Sequence, residues 1–190
     1  MQNIIKRLAP IPLLVALSLG LQVSAAADND SIRVTSSVFA HETAIPLRFS
    51  AYGDNVSPDL AWTGLPSGTQ ELALILDDPI VDMPQPFVHW VAYNIPATAS
   101  GLPAALPTDA IVTAEGLQGM INGINGTNRS GYFGPRPPVD GKVHKYNFRI
   151  YALDKKLNLP DGINKEGLLE AMSGHILATG TLIGDYQQME

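Results

Sequence analysis

Apolar residues along this chain fall into short runs cut by glycine and proline, the habit of a strand-rich domain. The pattern predicts strands over 32–39, 45–52, 60–64, 71–77, 87–95, 143–153 and 175–184. One helix fits "NKEGLLEAMSG": Asn164 suits its N-cap, Leu168, Leu169 and Met172 share a face, and Gly174 ends it. Two strands, "LALIL" and the run over 87–95, are apolar on both faces and read as central strands covered on each side. Residues 143–153 alternate instead, with Lys145, Asn147 and Arg149 set against His144, Tyr146, Phe148, Ile150 and Ala152. Period-two geometry therefore turns His144 and Tyr146 toward the core, near one end of their strand.

The first 26 residues have a different pattern. Lys6 and Arg7 precede the apolar run "LAPIPLLVALSLGLQV", and small residues follow in "SAAAD". This is the order of a cleaved signal peptide, whereas a membrane anchor would lack the interrupting Pro10 and Pro12 and end in a basic cluster. The expected organisation is a signal peptide over 1–26 and a single domain over 27–190, with no transmembrane segment after cleavage. Cleavage leaves 10 basic against 18 acidic residues, a net charge of about −8, which argues against nucleic acid as a partner. The chain has no cysteine, so thiol catalysis, thiolate metal sites and disulfides are excluded.

The stretch from about 97 to 142 is too rich in Gly, Asn and Pro for regular structure, yet "GYFGPRPP" pairs aromatics with restricted prolines and points to an ordered, functional loop. His89 poses a sharper question, because an imidazole within "QPFVHWVAYNIP" must find partners. From the run alone it is a satisfied core residue, a metal ligand or the wall of a pocket. His175, Trp62 and Trp90 read as structural, and His41 as a turn residue. Asn55, Asn125 and Asn128 begin N-x-S/T triplets of the kind that arise by chance.

Four segments, "LILDDP", "FVHWVAYNIP", "GYFGPRPPVDGKVHKYNFRIYALD" and "AMSGHILATGTLIGDY", together with "IPLRFSAYGDNVSPDLAWTGLPSG", resemble the phosphatidylethanolamine-binding protein family, in its bacterial branch often labelled Raf-kinase-inhibitor-like. The resemblance implies a mainly β fold: an antiparallel β-sandwich of that family's type with a few peripheral helices. It implies a pocket for a small anionic ligand or phospholipid head group, formed by Asp78, His89, His144 and Tyr146 and closed by the backbone of Gly134, Pro135, Pro137 and Pro138. No metal and no cofactor are expected. Two imidazoles and a phenol suit anionic oxygens, and an ordinary imidazole charges readily when an anion arrives. Asp78 is placed to hold one histidine's second ring nitrogen. The family's second aspartate is replaced by Ile80, so the ligand need not be phosphatidylethanolamine.

The functional expectation is an exported binding protein, periplasmic or secreted, possessing an unnamed protein partner at most. Kinase inhibition fits an exported chain poorly. The alternative is an acid–base enzyme, a hydrolase, dehydratase or cyclase, acting in the same pocket; the chain has no nucleophile elbow, phosphate-binding loop or zinc-protease motif. A two-histidine, one-carboxylate metal site ranks last.

Overall fold

The protein is described by a computed structural model over residues 32–189. The expected signal peptide lies outside the described residues. The described residues form nine strands in chain order: β1 (Arg33–Thr35), β2 (Thr43–Ala44), β3 (Leu60–Thr63), β4 (Glu71–Asp78), β5 (Phe87–Pro96), β6 (Gly101–Leu102), β7 (Ile121–Asn122), β8 (His144–Leu153) and β9 (Ile176–Tyr186). Among the described residues one α-helix, α1 (Lys165–Met172), precedes β9. A six-stranded sheet has the order β2-β9-β8-β4-β5-β7, and a three-stranded sheet the order β1-β3-β6. Pairings between these strands are antiparallel apart from the short parallel β2–β9 pair.

The doubly apolar strands occupy the centre of the large sheet, as their patterning requires. Leu72, Leu74, Leu76, Trp90, Ala92, Phe148 and Ile150 join Val34, Leu60, Trp62 and Leu102 of the small sheet in one core. Ala73, Ile75, Val91, Tyr93 and Leu153 face the other way and form a second core with Leu168 and Met172 of α1. Full burial of each such large side chain contributes about 1.5–3 kcal/mol. Asn164 caps α1 by accepting the Gly167 N–H at 3.0 Å, and Gly174 lies beyond the end at φ +77°. Leu169 is exposed, because one helical step of about 100° carries it off the face that Leu168 and Met172 share.

The expected strand over 45–52 is a correction. Ile45 still donates to Asp185 O of the β9 edge, but Pro46 has no N–H to continue the ladder. Leu47–Phe49 instead forms a 3-10 turn, which the Ser50 hydroxyl closes by donating to Leu47 O at 2.8 Å. The turn buries Phe49 and leaves Leu47 exposed.

The long connection from 97 to 142 is ordered by buried side-chain amides. Asn122 accepts the Trp90 indole N–H at 2.8 Å and donates to Pro107 O and Asp109 O. Asn125 donates to Gly131 O and accepts from the backbone and hydroxyl of Thr127. Tyr132 Oη donates to Phe49 O at 2.6 Å and Tyr52 Oη to Pro137 O at 2.7 Å, tying the loop's far end to the 3-10 turn region. Asn122→Ala is expected to cost about 3 kcal/mol, since it strands a buried indole N–H and two carbonyls. The shift of the urea unfolding midpoint measures this, and a loss below about 1 kcal/mol would mean that the loop is held by other contacts.

Candidate functional site

The neighbouring strands β8, β4 and β5 bring His144, Tyr146, Asp78 and Phe87 to one end of the large sheet. Residues opposite one another in a sheet share a face. Asp77 lies opposite Asn147 and Val88, and its carboxylate pairs with Lys165 of α1, so this row faces the helix. The next row, Asp78 opposite Phe87 with Tyr146 beyond, faces the other way.

His89 reaches that row through an irregularity. The β4–β5 register passes from Leu76 opposite Trp90 directly to Asp77 opposite Val88, which leaves His89 as the extra residue of a β-bulge. Strict alternation back from Tyr93 and Val91 would put His89 on the helix side. The extra residue reverses the parity, so Val88 packs with the helix-side core while Phe87 and His89 face Tyr146. The His89 ring meets Tyr146 edge-on at 5.0 Å and Phe87 edge-on at 4.9 Å, and stacks on Phe133 at 5.7 Å.

Hydrogen bonds assign a role to each polar group. Phe133 N–H donates to His89 O at 2.9 Å, and Phe133 O sits 2.7 Å from His89 Nδ1. A carbonyl can only accept, so Nδ1 carries the proton and Nε2 of the neutral ring is an acceptor. Burial is the main influence on the ring and pushes its pKa down to about 4, outweighing the Phe133 carbonyl and the Asp78 charge. Burial therefore keeps His89 neutral at pH 7.

Asp78 is wholly committed: Oδ1 accepts the Ile80 N–H at 2.8 Å and Oδ2 lies 2.7 Å from His144 Nδ1. The histidine it holds is His144, whose Nε2 is 3.4 Å from Asp140 Oδ2. The Lys142 N–H, and secondarily His144, keep the Asp140 carboxyl below the usual carboxylate range. Tyr146 is only 1% exposed, and its Oη has no hydrogen-bond partner among the described residues. Asp78 and the Arg136 backbone are near that oxygen, yet neither completes a bond of good geometry. Burial, with the Asp78 charge adding, pushes the phenol well above its ordinary pKa, so Oη keeps its proton and remains a donor.

These groups surround a cavity of about 300 Å³. Of the residues expected from sequence, Asp78, His89, Pro137, Pro138, His144 and Tyr146 line it. Gly134 and Pro135 do not; they dock the loop instead. A Cβ on Gly134 would lie 2.3 Å from Phe49 O, and Pro135 O accepts the Ala51 N–H. Sequence reasoning missed Val81, Phe87, Thr127, Phe133 and Arg136. Phe87 was legible only with knowledge of the bulge, and Phe133 and Arg136 lie within the "GYFGPRPP" stretch singled out above. No group of three or more His, Asp or Glu with metal-binding geometry occurs among the described residues. His175 bonds Asp154 at 2.9 Å, and both tryptophans are buried in the core.

Residues 35–187 match the family profile described as phosphatidylethanolamine-binding protein. The chain belongs to the phosphatidylethanolamine-binding protein family. A UPF0098 protein of Pyrococcus abyssi is 38% identical over 94% of this chain and 97% of its own length. A candidate lipoprotein of Mycobacterium tuberculosis is 36% identical over 82% of this chain and 74% of its own. Among solved structures, a family homologue from Chlamydia trachomatis superposes with a TM-score of 0.73 at 34% identity, covering 84% of this chain and 99% of that one. The two-sheet architecture is that family's fold.

The neutral His89 generates a prediction about stability. Its folded pKa, about 4, lies below the unfolded value near 6.5, so the unfolded chain binds the proton more readily between them. The contribution is intact above pH 6.5 and is lost as pH falls toward 4, by up to about 3 kcal/mol. The stability difference between wild type and His89→Gln should shrink across that window in urea titrations. A difference independent of pH would mean that His89 is not buried as a neutral ring.

Proposed function

We propose that this family member is an exported binding protein whose cavity takes a small phosphate-type anion or a phospholipid head group. The observation that carries the reading is the Tyr146 hydroxyl, a buried, protonated donor without a partner, on a residue that lines the cavity. Leaving such a group unsatisfied costs about 1–3 kcal/mol, which an acceptor oxygen of a ligand would recover. A volume of about 300 Å³ is at the small end for ligand sites and suits a head group rather than a whole lipid. Arg136 supplies positive charge at the wall. Because His89 Nε2 accepts, the preferred ligand also brings a donor, such as the hydroxyl of a singly protonated phosphate or a head-group ammonium. Export is supported by the basic start, apolar run and small-residue boundary of residues 1–26, and by the kinship with a candidate lipoprotein. The periplasm is the compartment this reading favours.

Tyr146→Phe separates binding from folding. Removing an unpaired hydroxyl should leave stability unchanged or slightly raised, while affinity for phosphate or O-phosphoethanolamine falls about tenfold in calorimetry. Unchanged affinity in the folded variant would refute the pocket. For export, N-terminal sequencing of the mature protein should begin near Ala27 or Asp28, and an intact Met1 on the isolated protein would contradict it. A second reading, acid–base catalysis in the same cavity, draws on the Asp78–His144 hydrogen bond, which orients an imidazole as catalytic carboxylates do. Phosphorus NMR distinguishes them: binding returns the ester intact, whereas turnover abolished by Asp78→Asn would favour the enzyme.

A further inference from the structure

A second cavity, of about 390 Å³, adjoins the first at Phe133. Thr127, Phe133 and Arg136 line both cavities, so the two share a wall. Its lining contains two guanidinium groups, Arg129 and Arg136, and no carboxylate. Neither arginine has a carboxylate within 4 Å or a side-chain hydrogen bond among the described residues, in a chain whose net charge is −6. Isolated exposed arginines are commonplace; two that converge on one concave surface without an acid are a concentrated positive field.

The neutral polar groups sort the same way. Asn55 spends its Oδ1 on the Gly134 N–H, and Asn125 is used by Gly131 and Thr127. The hydroxyls of Thr108 and Ser130 on the same lining have no hydrogen bond to any described residue. The uncommitted groups are thus two hydroxyls, the Asn55 Nδ2 amide and two guanidinium forks, and guanidinium is the group that matches a carboxylate in paired hydrogen bonds.

We propose that this second cavity is an anion subsite for the ligand of the first, and that the ligand class is a phosphate ester carrying a carboxylate. The proposal rests on the head-group reading above and extends it. The phosphate meets Tyr146, the carboxylate lies between Arg129 and Arg136, and Arg136, which lines both cavities, serves both groups. Arg129 lines only the second cavity, so it selects between ligands without forming the first subsite.

O-Phosphoserine and O-phosphoethanolamine differ by one carboxylate, which makes them the matched probes. Calorimetry on the full-length mature protein should show O-phosphoserine binding about tenfold more tightly. Arg129→Gln should erase that preference and leave O-phosphoethanolamine affinity unchanged; Arg129 is exposed, and circular dichroism checks that the variant is folded. Equal affinities for the wild type, or an Arg129→Gln variant that weakens both compounds equally, would overturn the second subsite while leaving the first standing. Binding of neither compound would overturn both.

Discussion

Opposite Leu76 and Asp77, strand β5 carries one residue more than its partner, and that residue is His89. A single inserted residue reverses which side chains face which side of a sheet. Here the reversal is confined to the last turn of the pleat, where Trp90 and Ala92 remain in the inter-sheet core and Val91 and Tyr93 remain against the helix. Without it, Phe87 and His89 would turn toward α1, and Asp78, Tyr146 and His144 would face an open strand end. The cavity thus sits at a local irregularity of the sheet.

The surrounding loop is fitted to that irregularity. Residues 121–133 run along the outer edge of β5 and supply partners that a further strand would have given: Gly123 N–H donates to Val91 O, Gly126 N–H to Val88 O and Phe133 N–H to His89 O. Phe133 then closes the exchange by accepting from His89 Nδ1. This one residue fixes the histidine tautomer, stacks on its ring and lines both cavities. The chemistry of the site follows from these commitments: Asp78 and His144 satisfy each other, His89 offers a lone pair, and Tyr146 offers the unclaimed proton.

Much of this was legible in the sequence because period and burial are encoded residue by residue. The doubly apolar character of β4 and β5 placed them centrally, and the alternation of β8 turned His144 and Tyr146 inward. The Asn164 cap and the left-handed Gly174 were readable as helix ends. Other features depend on contacts that no local pattern records. A bulge leaves the apolar pattern intact, so the run over 87–95 does not reveal the parity of His89. Pro46 is where the strand expected over 45–52 fails, and the Ser50 hydroxyl that closes the turn is visible only once folded. Gly134 and Pro135 share a motif with Pro137 and Pro138, yet docking against Phe49 and Ala51 takes them away from the cavity. Arg136 was part of a quoted motif, but its position between two cavities is a tertiary fact.

The bulge seats His89 as a neutral ring protonated at Nδ1. Nitrogen-15 NMR of histidine-labelled protein reads this directly, since Nδ1–H and Nε2–H tautomers and the imidazolium give distinct shift pairs. The account predicts a His89 signal of the Nδ1–H form throughout pH 6–8, titrating only near pH 4. A His89 ring that is protonated at Nε2, or that titrates near the ordinary value of about 6.5, would contradict it.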